Sequence, residues 1–251
     1  MRRPTETQRA TVYAHHAETI QRVVDHFRGD VELEALLLGG SVAHGFERPD
    51  SDVDVMFVIS DESHAARNRM GKLVYSSSEL CVAPTAYVDG KYLTAAMLRA
   101  VAEKGSEPAR FAFRYPLEAK AERMMRFAAQ LEAWNWYASE ALKHENPYLL
   151  GVSVDKLVLF GGRLILAHNE LLYPYHKWFL RVLEVAPDQP AGLMPAIRAL
   201  YVDPSVEAIG RFYELVKGFR DWDSSGVFWP VQFMADSELN WLNGPAPVDD
   251  L

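Results

Sequence analysis

The sequence predicts an α/β core, of the α+β kind with a small mixed sheet, followed by an all-α helical bundle domain. Two observations predict the core: residues 36–38 and 55–59 are apolar and strand-like, and turn-forming residues bound both runs. A third observation predicts the helical part, because good helix formers dominate from residue 118 onward. A chain of 251 residues is long enough for two small domains. We therefore predict domains at residues 1–117 and 118–251.

The core region alternates helices with strands. An amphipathic helix over residues 7–28 comes first, and Gly29-Asp30 closes it. Of the two strands that follow, the one over 55–59 is apolar on both faces, as in a central strand that is covered on both sides. The later elements are predicted as a helix over 61–75, further strand over 80–92, a helix over 94–104 that ends at Gly105, and either a last strand or an extended connector over 111–117.

The second half divides into helices at proline, serine and glycine. Ser153 is a candidate N-cap. Gly161-Gly162 lies inside a predicted helix, and close helix packing explains these glycines better than a ligand-binding loop does. The helices are predicted over residues 118–143, 153–172, 174–185, 191–201, 205–220 and 231–242.

Charge and cysteine content limit the possible functions. The net charge is −8 with acids and bases interspersed, so we expect no nucleic-acid partner, which would need a basic face. Cys81 is the only cysteine, which excludes an intrachain disulfide and a cysteine-based zinc site. The first residues hold no apolar signal core, and no run approaches the ~20 apolar residues of a membrane span. We expect a cytoplasmic protein without a membrane partner.

A glycine turn directly follows the first strand. Gly39 and Gly40 allow positive φ and a close approach of other atoms to the backbone. Ser41 is predicted to N-cap a short helix over residues 42–44, whose free amides suit a phosphate. Gly45 and residues 49–51 indicate a loop that leads to the second strand. This unit therefore predicts an anion site.

Two carboxylates open the second strand. Asp52 and Asp54 project to the same face of a strand, about 6–7 Å apart along the backbone. Neighbouring anions repel each other, and a divalent cation removes the repulsion. Carboxylate oxygens suit Mg²⁺, which also binds phosphates. The alternative is a strand edge with two solvated acids, and the glycine turn upstream favours the magnesium site.

The pattern of these motifs resembles that of the DNA polymerase β-like nucleotidyltransferase superfamily. Within it, the chain is most similar to small antibiotic nucleotidyltransferases of the aminoglycoside and lincosamide type, which join such a core to a helical bundle. The motif covers residues 36–59, and the remainder is similar in architecture only. The resemblance implies that Gly40 and Ser41 hold the triphosphate and that Asp52 and Asp54 hold Mg²⁺, with two ions expected. Gly39 and Ser51 are further candidates for nucleotide binding.

The family usually has a third carboxylate on a neighbouring strand, and Asp89 is the candidate. The resemblance implies that Asp89 is a metal ligand or a general base that deprotonates the acceptor hydroxyl. In an extended segment, Tyr87, Asp89 and Lys91 share one face. The alternative is that Asp89-Gly90 forms a hairpin turn, for which Asp-Gly is a strong signal.

Cationic residues supply further candidates for phosphate contacts. Arg48 lies in the loop before the second strand, where it either reaches a phosphate or is an ordinary surface arginine. Pro174 is predicted to begin a helix, which places His176 and Lys177 in a first turn that disfavours cations unless an anion is bound there. We predict that Lys177, with His176, binds the β- and γ-phosphates; the alternative is a surface lysine. No matching acids lie near His15-His16, so a metal is not expected there.

Together these residues predict a Mg²⁺-dependent nucleotidyltransferase that moves AMP from ATP to a hydroxyl of a small antibiotic-like molecule. The acidic net charge suits a cationic acceptor. The alternatives are a protein adenylyltransferase of the toxin–antitoxin type and a non-catalytic nucleotide-binding protein. The helical half argues against the first, since such antitoxins are usually single small domains, and the intact aspartates and glycines argue against the second. The oligomeric state is expected to be a monomer or a homodimer.

Overall fold

A computed structural model describes residues 12–83, 86–113, 120–222 and 228–244. Packing divides the chain into two compact units, Met1–Arg114 and Tyr115–Leu251. The predicted boundary between residues 117 and 118 lies outside the described residues.

The first unit contains a four-stranded mixed sheet with helices, as the sequence predicts. The strands are β1 (Leu33–Leu38), β2 (Val53–Ile59), β3 (Val74–Ser77) and β4 (Val88–Leu93). Their order in the sheet is β1-β2-β4-β3, with β1–β2 and β3–β4 antiparallel and β2–β4 parallel. The strand β2 lies between β1 and β4, which confirms its predicted central position. The helices are α1 (Ala14–Phe27), α2 (Gly40–His44), α3 (Asp61–Arg69), α4 (Ala95–Lys104) and α5 (Glu107–Ala112).

An aromatic core covers one face of this sheet. The ring of Phe57 on β2 lies 4.7 Å from that of Phe27 on α1 and 4.8 Å from that of Tyr92 on β4, centre to centre. Gly90 makes room for it, because a Cβ there would lie 2.5 Å from Phe57 Cε2. Side chains alternate along strands, so this packing fixes which face each residue of β2 and β4 presents. Asp54 consequently faces away from the aromatic core.

Several predicted boundaries in the first unit are wrong. The predicted helix 61–75 ends at Arg69, because Gly71 with φ +68° terminates it and β3 follows. The strand predicted over 80–92 begins only at Val88. The segment 111–117 is predicted as a strand or an extended connector, but its first two residues are the last two of the helix α5. Ser106 caps the start of α5 by accepting a hydrogen bond from Ala109 N at 3.4 Å. In contrast, α4 ends at Lys104 before Gly105 as predicted and begins one residue later than predicted, because Thr94 is its N-cap.

In the described part of the second unit, every regular element is helical. The helices are α6 (Lys120–Lys143), α7 (Pro147–His168), a 3₁₀ turn (His176–Trp178), α8 (Phe179–Glu184), α9 (Leu193–Val202), α10 (Val206–Lys217), α11 (Trp229–Asp236) and a second 3₁₀ turn (Asn240–Asn243). Among the described residues, no helix combines the length and the apolar character that crossing a bilayer requires. The arrangement of these helices as a bundle stays a prediction.

The predicted start of α7 is wrong. The helix begins at Pro147, and Asn146 caps it by accepting a hydrogen bond from Leu149 N at 3.0 Å. Ser153 is therefore a fully buried residue inside the helix and not its N-cap. Proline at the first position suits a helix start, and the cap at Asn146 lies seven residues before the predicted one at Ser153.

Glycines in the middle of α7 let neighbouring helices approach closely, as predicted. A Cβ at Gly161 would lie 2.8 Å from Phe212 Cζ on α10, and one at Gly162 would lie 2.3 Å from Phe179 Cζ on α8. By contrast, a Cβ at Gly151 of the same helix would meet nothing within 4 Å.

We expect opposite effects from alanine at these two kinds of position. Gly151→Ala should stabilise the protein by about 0.5–1 kcal/mol through helix propensity. Gly162→Ala should destabilise it by about 1–3 kcal/mol, because the added methyl overlaps Phe179. Urea unfolding of both variants measures these changes. Equal effects at the two positions would contradict the assigned packing.

Candidate active site

The glycine turn joins β1 directly to α2. Gly39 takes the N-cap position, and its N–H donates to the backbone oxygen of Asp54 at 2.9 Å. The prediction that Ser41 caps this helix is wrong, because Ser41 lies within α2 and is buried, with 8% of its surface exposed. Gly40 begins the helix at φ +60°, and Gly45 closes it at φ +70°.

The carboxylate of Asp54 lies against Gly40. A Cβ built on Gly40 would fall 1.6 Å from Asp54 Oδ2 and 2.3 Å from its Cγ. Gly40 is thus required twice, once for its left-handed backbone and once for the space that the carboxylate occupies. The acid is therefore held at the turn by the shape of the backbone around it.

Asp89 lies beside Asp54 in the sheet. The parallel strands β2 and β4 pair these two aspartates directly in register. Paired residues present their side chains to the same face, and neighbouring strands are about 4.8 Å apart. The alternative that Asp89-Gly90 forms a hairpin turn is wrong, because both residues lie within β4. Asp89 Oδ1 accepts a hydrogen bond from Gly90 N at 3.0 Å.

Tyr87 shows that the three acids gather at one end of the sheet. Val53 N donates to Tyr87 O at 3.1 Å, which continues the β2–β4 pairing and sets Asp52 beside Tyr87. The charge of Asp52 is the main cause that raises the pKa of the Tyr87 phenol, followed by burial, by the charge of Asp89, by a hydrogen bond to Asp52 and by the charge of Asp54. Sequence reasoning missed Tyr87 as a site residue, although its shared face with Asp89 was visible.

The donor chemistry of this acidic end fits Mg²⁺. Carboxylate oxygens are ligands that Mg²⁺ prefers, and the Asp54 carboxylate lies directly against the glycine turn at Gly40. Within the described ranges, no three His, Cys, Asp or Glu side chains are grouped to hold one ion together. Mg²⁺ is commonly bound by one or two carboxylates with phosphates and waters completing its shell, so pairs among Asp52, Asp54 and Asp89 fit this pattern.

The remaining residues of the loop make local contacts. Arg48 binds Asp50 through two hydrogen bonds of 3.0 Å, and both side chains are exposed. The hydroxyl of Ser51 accepts a hydrogen bond from Arg48 N at 2.9 Å, which closes the turn before β2. The phosphate contacts of Arg48 and Ser51 stay predictions.

His176 and Lys177 belong to the second unit. They lie in a 3₁₀ turn, so the predicted helix that starts at Pro174 is wrong, and the dipole argument loses its basis. His176 Nδ1 shares a hydrogen bond of 2.7 Å with the Tyr173 hydroxyl, and Lys177 Nζ lies 4.7 Å from the centre of the Trp178 ring. The contact of His176 and Lys177 with phosphate stays a prediction.

Comparisons with known proteins include a distant likeness to a solved structure. No family model matches the chain, and no curated protein matches it. The fold is similar to the crystal structure of a nucleotidyltransferase-like protein from Exiguobacterium sibiricum, with a TM-score of 0.39 and 8% sequence identity, over 91% of this chain and 79% of that one. A likeness this distant assigns neither a family nor an activity to the chain.

The contact between Gly40 and Asp54 predicts that substitutions at these positions are coupled. Gly40→Ala should destabilise the protein less in an Asp54→Ala background, because the nearest overlapping atoms are then gone. We expect a coupling energy of about 1–2 kcal/mol in a double-mutant cycle by urea unfolding.

Gly71→Ala supplies the matched control for this cycle. Gly71 also has a positive φ, of +68°, but a Cβ there would meet nothing within 4 Å. The change in unfolding free energy caused by Gly71→Ala should add to that caused by Asp54→Ala, without a coupling energy. If the effects of Gly40→Ala and Asp54→Ala are also additive, the Asp54 carboxylate does not occupy the space of a Cβ at position 40.

Proposed function

We propose that the protein is a Mg²⁺-dependent nucleotidyltransferase that transfers a nucleoside monophosphate, AMP from ATP in the first instance, to a hydroxyl of a small molecule. The contact of the Asp54 carboxylate with Gly40 carries this proposal, because it sets a potential metal ligand directly against the glycine turn to which the proposal assigns the triphosphate. The register of Asp89 with Asp54 supports it further.

The residues divide into a phosphate part and a metal part. The backbone of Gly39 and Gly40, with the Ser41 hydroxyl, would bind phosphate oxygens. Asp52 and Asp54 would hold Mg²⁺, with Asp89 as a further ligand or as the base. When bound, the ion neutralises the charge that develops on the phosphates.

The proposed reaction is an in-line displacement at the α-phosphorus. The acceptor oxygen forms a bond to this phosphorus while the bond to the bridging oxygen breaks, and pyrophosphate leaves. As general base, Asp89 would take the proton of the attacking hydroxyl. The Tyr87 phenol lies beside these acids, and the charge of Asp52 is the main cause that raises its pKa. The gain in rate comes from positioning and electrostatics.

The acceptor class follows from charge and from the sequence resemblance. A chain with a net charge of −8 attracts cationic molecules more readily than anionic ones. We therefore propose a cationic, hydroxyl-bearing acceptor of the antibiotic type, modified in the cytoplasm, with antibiotic resistance as the biological consequence.

Loss of one carboxylate should abolish transfer without unfolding the protein. Asp54→Asn keeps the shape of the side chain but removes its charge, so transfer of label from α-labelled ATP should fall about 100-fold or more. Asp50→Asn is the matched control, since Asp50 is exposed and pairs with Arg48 among the residues that the structure describes. The activity of this variant should stay within about twofold of that of the unsubstituted protein.

The assay should include Mg²⁺ and panels of aminoglycosides, lincosamides and a cell lysate. Label on a small molecule supports the proposal, whereas label on a polypeptide identifies a protein adenylyltransferase. Undiminished transfer by a folded Asp54→Asn variant would contradict the assigned site.

A further inference from the structure

Two consecutive histidines of α1 bind the loop that leads into β2. His15 Nε2 lies 2.9 Å from the backbone oxygen of Pro49, and His16 Nε2 lies 3.0 Å from that of Ser51. A carbonyl oxygen only accepts, so in both contacts the imidazole N–H donates. His15 contacts the loop from the surface, whereas His16 is buried, with 1% of its surface exposed.

The contact of His16 lies next to Asp52. The Ser51 carbonyl belongs to the peptide group whose nitrogen is that of Asp52, so His16 fixes the plane of this peptide. On the other side of Asp52, Val53 N donates to Tyr87 O at 3.1 Å. The backbone of Asp52 is therefore held from α1 on one side and from β4 on the other.

A neighbouring polar residue of α1 extends this interface. Thr19 is buried, donates to His15 O at 2.8 Å and accepts from Val82 N at 3.1 Å. His16 Nδ1 is buried without a hydrogen-bond partner among the described residues. Buried polar atoms are usually paired, so an apolar residue would fill this position at a lower free energy if filling space were its only role.

We propose that His16 is a positioning residue, which fixes the Ser51–Asp52 peptide so that the Asp52 carboxylate stays beside Tyr87 and Asp54. The consequence for cation and nucleotide binding rests on the proposed function. The hydrogen bond itself and its effect on the loop are independent of the proposed function. The two parts can therefore be tested separately.

Two substitutions of similar size separate positioning from packing. Gln carries an N–H donor at about the reach of Nε2, whereas Met fills a similar volume without a donor, and both residues favour helices. If the hydrogen bond matters, His16→Gln should retain the behaviour of the unsubstituted protein and His16→Met should lose it. If only packing matters, His16→Met should perform at least as well as His16→Gln.

The first measurement is amide hydrogen exchange of the full chain without metal or nucleotide. In His16→Met, the peptide that covers residues 50–53 should exchange about tenfold faster than in the unsubstituted protein, and in His16→Gln it should not. The second unit should exchange at unchanged rates in both variants. Equal exchange of residues 50–53 in all three proteins would overturn the proposal.

The second measurement is calorimetric binding of a non-hydrolysable ATP analogue with Mg²⁺. His16→Met should bind about 10-fold more weakly and His16→Gln normally, as is typical when a group that orients a metal ligand is lost. Failure of the unsubstituted protein to bind would refute the proposed function and leave the exchange result to decide the role of His16. Normal binding by His16→Met would show that the contact does not serve this site.

If His16→Met does not fold, His16→Asn replaces it. Asn carries the same amide as Gln, but its donor lies one bond short of the Ser51 carbonyl. Faster exchange of residues 50–53 in His16→Asn than in His16→Gln supports the proposal, and equal exchange overturns it.

Discussion

The rest of the site depends on one steric constraint, which is that the Asp54 carboxylate occupies the space that any side chain at position 40 would need. This contact ties the glycine turn to the central strand, together with the hydrogen bond from Gly39 N to Asp54 O. The turn cannot move away from the acid without breaking that bond. A glycine backbone and a carboxylate are thereby presented side by side before any ligand arrives, which lowers the conformational cost of binding.

Asp52, Asp54 and Asp89 concentrate negative charge at one end of the sheet, and the fold has to oppose the repulsion between these carboxylates. Asp89 stands in register with Asp54, and Tyr87 responds to all three acids through its raised pKa. The opposite face of the sheet supplies the rigidity, because Phe57 packs against Phe27 of α1 and fills the space left by Gly90. The aromatic core and the acidic end thus share the same two strands, β2 and β4. Their pairing holds the acids together in spite of their repulsion.

The sequence reveals those features of the fold and site that depend on neighbouring residues, and it does not reveal those that depend on contacts between distant segments. The central strand β2 and the shared face of Asp52 and Asp54 follow from apolar run length and strand alternation, both local properties. Asp-Gly at Asp89 was ambiguous, because only pairing with β2 decides between a turn and a strand. Serine is a common N-cap residue, which leads to the prediction for Ser41. The helix instead begins at Gly40, which adopts φ +60°, and Gly39 is the N-cap. The contacts of His16 and Tyr87 join distant segments, so no local pattern reveals them.

The central claim is that the acids around Gly40 hold a divalent cation together with a nucleoside triphosphate. A crystal structure with Mn²⁺ and a non-hydrolysable ATP analogue tests it most directly, since the anomalous signal of Mn²⁺ locates the ion independently of the density for the nucleotide. The account predicts an ion about 2.1 Å from carboxylate oxygens of Asp52 and Asp54, with phosphates along Gly39 and Gly40. A nucleotide bound elsewhere, or an ion that Asp54 does not contact, would contradict it.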